Sequence, residues 1–196
     1  MPKEMLKIET KTGSATSPTP GDNPIVIGHI VNTAGGFGKG FVLAVNQLSR
    51  APEMAYRAWA KEGQLVLGNT QFVEAKPDIF IANMVAQDGY PSDHADGVAV
   101  NYEALEKCLG KVLCRAVQLG ADVNFPSGMG SGLAGGDKDT IIGIVEKVGK
   151  TIGNDANLNI TLWDFKDTTS ASYVPTRKSP TPEGSGEAID DLTKLG

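Results

Sequence analysis

Two glycine-rich loops are the stretches of this sequence whose residue types and spacing could perform chemistry. The first, residues 32–40, reads NTAGGFGKG and lies between an apolar run, residues 25–31, and a helical pattern that begins near Phe41. Glycine lets backbone amides approach an anion without obstruction by a side chain, and the start of a helix adds positive potential. This order of strand, loop and helix predicts a phosphate-binding turn. The alternative is a plain strand-to-helix turn, for which one or two glycines would suffice.

The second loop, residues 126–137, reads PSGMGSGLAGGD and also lies between a predicted strand and a predicted helix. It has five glycines within nine residues, more than a simple turn requires. Neither loop has the GxxxxGKS/T or GxGxxG spacing of the standard nucleotide-binding fingerprints. Two such loops on one side of a sheet would bind both ends of a diphosphate through backbone amides.

The net charge, the hydropathy and the cysteines argue against a nucleic-acid-binding, membrane-bound or metal-binding protein. Acidic residues number 23 against 18 basic ones, so the net charge is −5 and no field attracts the chain to nucleic acid or anionic lipid. The longest apolar run is far shorter than the ~20 residues that span a bilayer, and the N-terminus lacks a secretory signal pattern, so a soluble cytoplasmic protein is expected. Cys108 and Cys114 lack a metal-binding motif and are predicted to be buried free thiols. Neither a metal nor a cofactor is expected.

The elements that must position the loops follow from the spacing of apolar residues. The six predicted strands are residues 5–9, 25–31, 70–74, 79–85, 123–125 and 160–165. The four predicted helices are residues 41–48, 52–62, 102–119 and 140–148, the third with a glycine cap at Gly120. The second helix is predicted to pack on the core through Met54, Ala55, Ala58 and Trp59. Because only four residues join the third and fourth strands, these must be antiparallel, and the sheet is predicted to be mixed, with helices on both faces.

One domain is predicted over residues 3–166. Residues 167–196 are predicted to form a flexible tail, because 15 of the 30 are Ser, Thr, Pro or Gly. The alternative for the last part, residues 187–195, is a short docking helix. The alternative fold is another doubly wound nucleotide-binding domain, which would have a wholly parallel sheet without the hairpin.

The two loops together carry a family resemblance. The run Gly28-His29-Ile30-Val31-Asn32 leading into the first loop, with GSGLAGGD at residues 130–137, resembles the macro domain family. Within it the similarity is greatest to the branch of terminal ADP-ribose protein glycohydrolase and the ADP-ribose 1''-phosphate phosphatases, including bacterial and phage members. The resemblance covers about residues 6–165. It implies a three-layer α/β/α fold with a six-stranded mixed sheet, and a monomer that binds ADP-ribose in a cleft across the top of that sheet.

The resemblance also implies a set of ligand contacts. In the family, the position of Asn32 contacts the distal ribose, that of Phe165 packs against adenine, and the two loops hold the diphosphate. The predicted ligand-binding residues are Ser14, Asn32, Gly35, Gly36, Phe37, Gly38, Lys39, Gly40, Gly130, Ser131, Gly132, Leu133 and Phe165. Ordinary strand-end packing is the alternative for Phe165.

Three positions depart from the family pattern. Ser14 stands where the family usually has an aspartate that accepts from the adenine amino group, so adenine selectivity is expected to be weaker. Ala86 stands where the human glycohydrolase has its lysine nucleophile, which argues against a covalent lysyl intermediate. Ser131 replaces a cysteine of many relatives.

Asp137 and His29 are the predicted catalytic residues of a hydrolase that acts at the distal ribose. Asp137 would activate a water at the anomeric carbon, as a glycohydrolase would, or His29 would hold a water or donate to a 1''-phosphate, as a phosphatase would. The structural alternatives are a helix N-cap for Asp137 and a hydrogen-bonded core histidine for His29. The functional alternative is a non-catalytic reader of ADP-ribosylated partners. Residues 88–97, beside the expected cleft, are a candidate lid.

Overall fold

The computed structural model describes residues 6–18 and 21–165, which form one mixed sheet between two helical layers. The strands are β1 Leu6–Thr12, β2 Ile25–Asn32, β3 Thr70–Lys76, β4 Ile79–Gln87, β5 Asp122–Pro126 and β6 Leu158–Asp164. The helices are α1 Val42–Leu48, α2 Ala51–Lys61, α3 Tyr102–Leu119 and α4 Lys138–Gly153, and a short 3-10 turn spans Pro91–Asp93. The predicted tail, residues 167–196, lies outside the described residues.

The strand order β1-β6-β5-β2-β4-β3 confirms the predicted mixed α/β sheet. The four pairs from β1 to β4 are parallel, and β3 pairs antiparallel with β4. The hairpin turn contains Asp78 at φ 61, a left-handed conformation that aspartate tolerates better than most residues. The wholly parallel alternative is therefore wrong. In the described part of the chain, no helix is long and apolar enough to cross a membrane.

Each face of the sheet has its own apolar core. One buries side chains of α3 and α4 against the sheet, for example Leu105, Leu109 and Val145. The other packs Val45 of α1 and Tyr56 of α2 against β2 and β4. The α/β/α layering predicted from the sequence is confirmed. Cys108 is buried as expected, whereas Cys114 is exposed, which corrects the prediction that both thiols are buried.

The buried face of α2 differs in part from the predicted one. Trp59 packs against the core as predicted. Met54 is 68% exposed, Ala58 is exposed, and the helix also buries Glu53 and Tyr56. Glu53 tolerates burial because its carboxylate accepts hydrogen bonds from Arg57 and Asn46. Arginines of the same segment and Asn46 of α1 thus compensate a buried carboxylate on a face that otherwise packs through Tyr56 in the apolar core.

The edge strand β1 carries a short row of charges on one face. Lys7 Nζ lies 3.2 Å from Glu9 Oε2, and Lys11 Nζ lies 2.9 Å from Glu9 Oε1. Both lysine side chains are about half exposed. The opposite face of β1 packs through Leu6 and Ile8 against the core beneath α4.

Candidate ligand-binding cleft

A cleft of about 720 Å³ opens at the carboxyl ends of β5, β2 and β4. Three loops wall it: the first glycine loop, the second glycine loop and the segment that follows β4. Of the predicted site residues, those that line the cleft are His29, Asn32, Gly36, Gly38, Lys39, Gly40, Gly130, Gly132 and Leu133. Ligand sites in open α/β sheets occur at this position, where loops leave neighbouring parallel strands in different directions.

The first glycine loop is held in shape by Asn32 at the end of β2. Its Oδ1 accepts hydrogen bonds from the amides of Ala34 at 3.0 Å and Gly36 at 3.1 Å, and its Nδ2 donates to the carbonyl of Gly36 at 2.9 Å. Asn32 is 9% exposed. The side chain thus acts first on the loop itself, and the predicted contact with the distal ribose is left to its remaining N–H.

Tyr56 supports Asn32 from the helical layer behind it. Its hydroxyl lies 2.6 Å from the Asn32 carbonyl oxygen and 3.0 Å from Asn32 Oδ1. Burial raises the pKa of Tyr56 to about 12, so the phenol remains a donor at any physiological pH. Sequence reasoning missed this residue. The available signal was a tyrosine on an amphipathic helix, since a buried tyrosine hydroxyl needs a partner.

Several backbone amides in the two glycine loops have no hydrogen-bond partner among the described residues and could bind an anion. Those of Gly38, Lys39 and Gly40 donate to no described residue, and neither do those of Gly132 and Leu133 in the second loop. All five residues line the cleft. All five residues are exposed, so water satisfies these amides in the free protein, and a ligand that accepts from both loops would replace that water.

The two glycine loops approach each other across the cleft. A Cβ built on Gly40, whose φ is +78, would lie 3.1 Å from Leu133 Cδ1. The second loop turns back through Gly130 and Gly135, both at positive φ, and closes with a hydrogen bond from the Gly136 amide to the Gly130 carbonyl at 2.8 Å. Gly40, Gly130 and Gly135 are therefore used for left-handed turns and close contacts that a side chain would prevent.

His29 forms part of the cleft wall although it is only 1% exposed. Its Nε2 lies 2.6 Å from Asn83 Oδ1, and Asn83 Nδ2 donates to Pro52 O and Gln71 Oε1. Burial lowers the pKa of His29 to about 4, although the bond to Asn83 acts in the opposite direction. The imidazole is neutral at pH 7, with its proton on Nε2. Donation to a phosphate does not fit this arrangement, whereas holding a water does.

The segment after β4 crosses the first glycine loop. Tyr90 lines the cleft, and its hydroxyl occupies the space where a Cβ on Gly36 would lie. The Gly89 amide donates to Thr33 Oγ1 at 2.9 Å, and the Tyr90 amide donates to Asp93 Oδ2 at 2.7 Å. The candidate lid, residues 88–97, thus lies beside the cleft as predicted and is hydrogen-bonded to the first loop.

Comparison with known proteins identifies the fold family. No protein-family model and no curated protein matches the sequence. Among solved structures, a macrodomain protein from Streptomyces coelicolor is 35% identical with a TM-score of 0.67, and the match covers 81% of this chain and 99% of that chain. The chain belongs to the macrodomain family. The family resemblance noted in the sequence is thereby confirmed.

Two further structures are similar to this macrodomain. A protein of unknown function from Bacteroides thetaiotaomicron is 35% identical with a TM-score of 0.72, over 81% of this chain and 98% of that chain. Thermosipho africanus DarTG, solved in complex with ADP-ribose, is 16% identical with a TM-score of 0.53, over 70% of this chain and 37% of that chain. At that identity the second match supports the fold alone.

The other predicted site residues of the macrodomain do not line the cleft. They are Ser14, Gly35, Phe37, Ser131, Asp137 and Phe165. Ser14 Oγ lies 2.9 Å from Thr16 Oγ1, and Ser131 Oγ donates to the Gly128 carbonyl at 2.9 Å. Phe165 is 73% exposed at the end of β6, so the alternative that it packs as ordinary core is wrong. Ala86, by contrast, is fully buried, and its neighbour Gln87 lines the cleft.

Asp137 is the N-cap of α4. Its Oδ2 accepts from the Thr140 amide at 2.8 Å and from Thr140 Oγ1 at 2.7 Å. The Thr140 hydroxyl, followed by its amide, holds the pKa of this exposed carboxyl below its usual range. The capping interpretation fits these contacts. A catalytic role would require the ionised carboxylate to reach a ligand that extends beyond the cleft wall.

Replacing Gly36 with alanine is expected to displace the Tyr90 side chain from the first loop. The new methyl group would overlap the Tyr90 hydroxyl, which is the end of a half-exposed side chain and can move. We expect the free energy of unfolding to fall by about 1 kcal/mol, measured by urea denaturation.

The combination of Gly36→Ala with Tyr90→Phe should recover most of that loss, because it removes the overlapping oxygen. Gly38→Ala is the matched control, since no heavy atom lies within 4 Å of its Cβ position. Equal losses for Gly36→Ala with and without Tyr90→Phe would contradict the assigned contact.

Proposed function

We propose that the cleft binds ADP-ribose or a derivative of it. The observation that carries the proposal is the pair of glycine loops that line one cleft at the strand ends, in which the amides of Gly38–Gly40 and of Gly132 and Leu133 have no partner among the described residues. Amides on opposite walls suit a linear diphosphate, which has acceptor oxygens along both sides. An ADP-ribose complex of a protein with the same fold supports this choice of nucleotide.

Calorimetric titration tests the proposal. ADP-ribose should bind with a much higher affinity than AMP, because AMP lacks the second phosphate and the distal ribose. Gly36→Glu should abolish binding by placing a negative side chain beside the diphosphate. Gly143→Glu, at an exposed helical position with no heavy atom within 4 Å, adds the same charge and should bind normally. Absence of binding by the unsubstituted protein at millimolar ADP-ribose would refute the proposal.

The geometry supports a reader of ADP-ribosylated partners more directly than a hydrolase. None of the described residues that line the cleft is an aspartate or glutamate, so no carboxylate in the wall can activate a water. The Asp137 carboxylate is also committed to capping α4. Binding, by contrast, requires only the amides and polar side chains that the cleft already presents.

Hydrolysis at the distal ribose is the second candidate. Two observations favour it: Asp137 is held ionised directly after the second loop, and His29, a residue of the cleft wall, has a buried unprotonated Nδ1 without a described partner. Either group could orient a water, toward the anomeric carbon in a glycohydrolase or toward the 1''-phosphate in a phosphatase. The buried Ala86 offers no nucleophile, so the reaction would proceed without a lysyl intermediate.

Three substrates separate these functions: ADP-ribose 1''-phosphate, auto-ADP-ribosylated protein and ADP-ribosylated DNA. ADP-ribose binding without turnover of any of them would establish the reader. Turnover that is lost in Asp137→Asn would assign Asp137 a chemical role, because asparagine is also a good N-cap and keeps the start of α4. Full turnover in Asp137→Asn would remove Asp137 from the mechanism.

A further inference from the structure

The two ring nitrogens of His29 have different surroundings. Nε2 is bonded to Asn83 Oδ1 at 2.6 Å, while Nδ1 is buried and receives no hydrogen bond from any described residue. Asn83 is itself fixed, because its Nδ2 donates to Pro52 O at 3.1 Å and to Gln71 Oε1 at 3.2 Å. The amide oxygen of Asn83 must therefore face His29, and the ring proton must lie on Nε2.

This arrangement makes Nδ1 a pure acceptor. The ring is held in place by Phe37, whose centroid lies 5.7 Å away at 90°, and by Phe41 at 5.8 Å. It cannot turn to exchange its nitrogens without breaking the bond to Asn83. A buried acceptor without a donor is destabilising, and His29 lies in the wall of the cleft. The site thus calls for a ligand group that donates a hydrogen bond at this point.

We propose that His29 Nδ1 accepts a hydrogen bond from a ribose hydroxyl of the bound nucleotide. The proposal rests on the proposed binding of ADP-ribose and adds the group that His29 recognises. A phosphate oxygen is excluded as the partner, because an ionised phosphate oxygen and an unprotonated nitrogen both present lone pairs and repel each other. ADP-ribose offers ribose hydroxyls on both sides of the diphosphate, two on the proximal ribose and three, including the anomeric hydroxyl, on the distal ribose; its other donor is the adenine amino group at one end.

Two substitutions at position 29 test the roles of the two ring nitrogens separately. Glutamine at position 29 places its amide nitrogen near the position of Nε2, so His29→Gln keeps the donor to Asn83 and removes the acceptor at Nδ1. Asparagine places its amide oxygen near Nδ1, so His29→Asn keeps the acceptor and loses the bond to Asn83. In calorimetric titrations we expect His29→Gln to weaken ADP-ribose binding about tenfold and His29→Asn to weaken it less than threefold.

Titration with ADP identifies the hydroxyl. ADP has the proximal ribose but not the distal one. A loss of affinity in His29→Gln for ADP-ribose alone assigns the distal ribose and supports the proposal. An equal loss for ADP that is absent for 2',3'-dideoxy-ADP assigns the proximal ribose and also supports it, whereas an equal loss for 2',3'-dideoxy-ADP assigns the adenine amino group and would overturn it. Binding of ADP-ribose to His29→Gln within twofold of the unsubstituted protein, or equal losses in the two variants, would overturn it while leaving the proposed function intact. Failure of the unsubstituted protein to bind ADP-ribose would overturn both.

Nitrogen-15 spectra of the histidine rings give a test that needs no change at position 29. The unprotonated Nδ1 of His29 should give a pyridine-type resonance that moves upfield when ADP-ribose is added, as expected when such a nitrogen accepts a hydrogen bond. His94→Gln removes the only other histidine and completes the assignment. A His29 Nδ1 resonance that stays in place at saturating ADP-ribose would overturn the proposal.

Discussion

Replacing Gly135 with alanine is expected to lower the free energy of unfolding by about 3 kcal/mol or more. Gly135 has φ +72, where an L side chain is strained, and its Cβ would overlap the carbonyl oxygen of Gly97. That neighbour is backbone and cannot rotate away. The adjoining residue, Ala134, accepts hydrogen bonds from the amides of Ala99 and Val100, so the methyl group would push apart two segments that are bonded to each other. Urea denaturation measures the loss.

Gly132→Ala is the control for this substitution. Gly132 belongs to the same loop, has no heavy atom within 4 Å of its Cβ position and is not at positive φ. The free energy of unfolding of the Gly132→Ala variant should stay within about 0.5 kcal/mol of that of the unsubstituted protein. If both variants were equally stable, the close approach of the second loop to Gly97 would not be present in solution.

Acid is expected to destabilise the protein through His29. Its pKa is about 4 in the folded chain against an ordinary value of 6.5, so the unfolded chain takes up the proton more readily in this interval. The stabilisation is complete above about pH 7 and is lost as pH falls through 6.5 toward 4. Between about pH 7.5 and pH 5 the loss attributable to His29 should be about 2 kcal/mol, measured by urea denaturation at each pH.

The comparison of two histidine variants isolates this effect. His29→Gln should remove most of the pH dependence in this interval, whereas His94→Gln should keep it. The carboxyls with lowered pKa values, such as Glu53 and Asp137, lose their stabilisation at lower pH and do so in every variant, so they cancel in the comparison. A pH dependence unchanged in His29→Gln would show that the buried imidazole does not control acid stability.

Periodicity predicted the elements well because it follows from burial in each layer. The bounds of α3 and its Gly120 cap agree with the prediction, and the four-residue turn correctly indicated the antiparallel hairpin. The face of α2 was predicted only in part: Trp59 packs on the core, but Glu53 and Tyr56 are buried as well, with hydrogen-bond partners that include Asn46 and Asn32 from other elements. Hydrophobicity alone cannot anticipate a buried carboxylate with its own donors.

The residues of the candidate site also fall into those that the local sequence predicts and those that it does not. The glycine loops were recognisable because glycine is required wherever backbone must approach a ligand or turn through positive φ. The residues that hold them were not: Tyr56 lies 24 positions from Asn32, and Asn83 lies 54 positions from His29. Tyr90 is likewise distant from Gly36. Only the packing of strands and helices brings these partners together, so their roles emerge from the fold.

The charged row on β1 has a consequence for how the sheet ends. An outermost strand presents unpaired backbone groups that a second chain could extend, the first step toward aggregation. Any strand added beside β1 would have to pack its own side chains next to Lys7, Glu9 and Lys11, and a neighbouring copy of β1 would bring the same charges against them. Charged side chains, lysine above all, are a common protection of such strands. The charged row thereby disfavours the growth of fibrils from this edge of the described sheet.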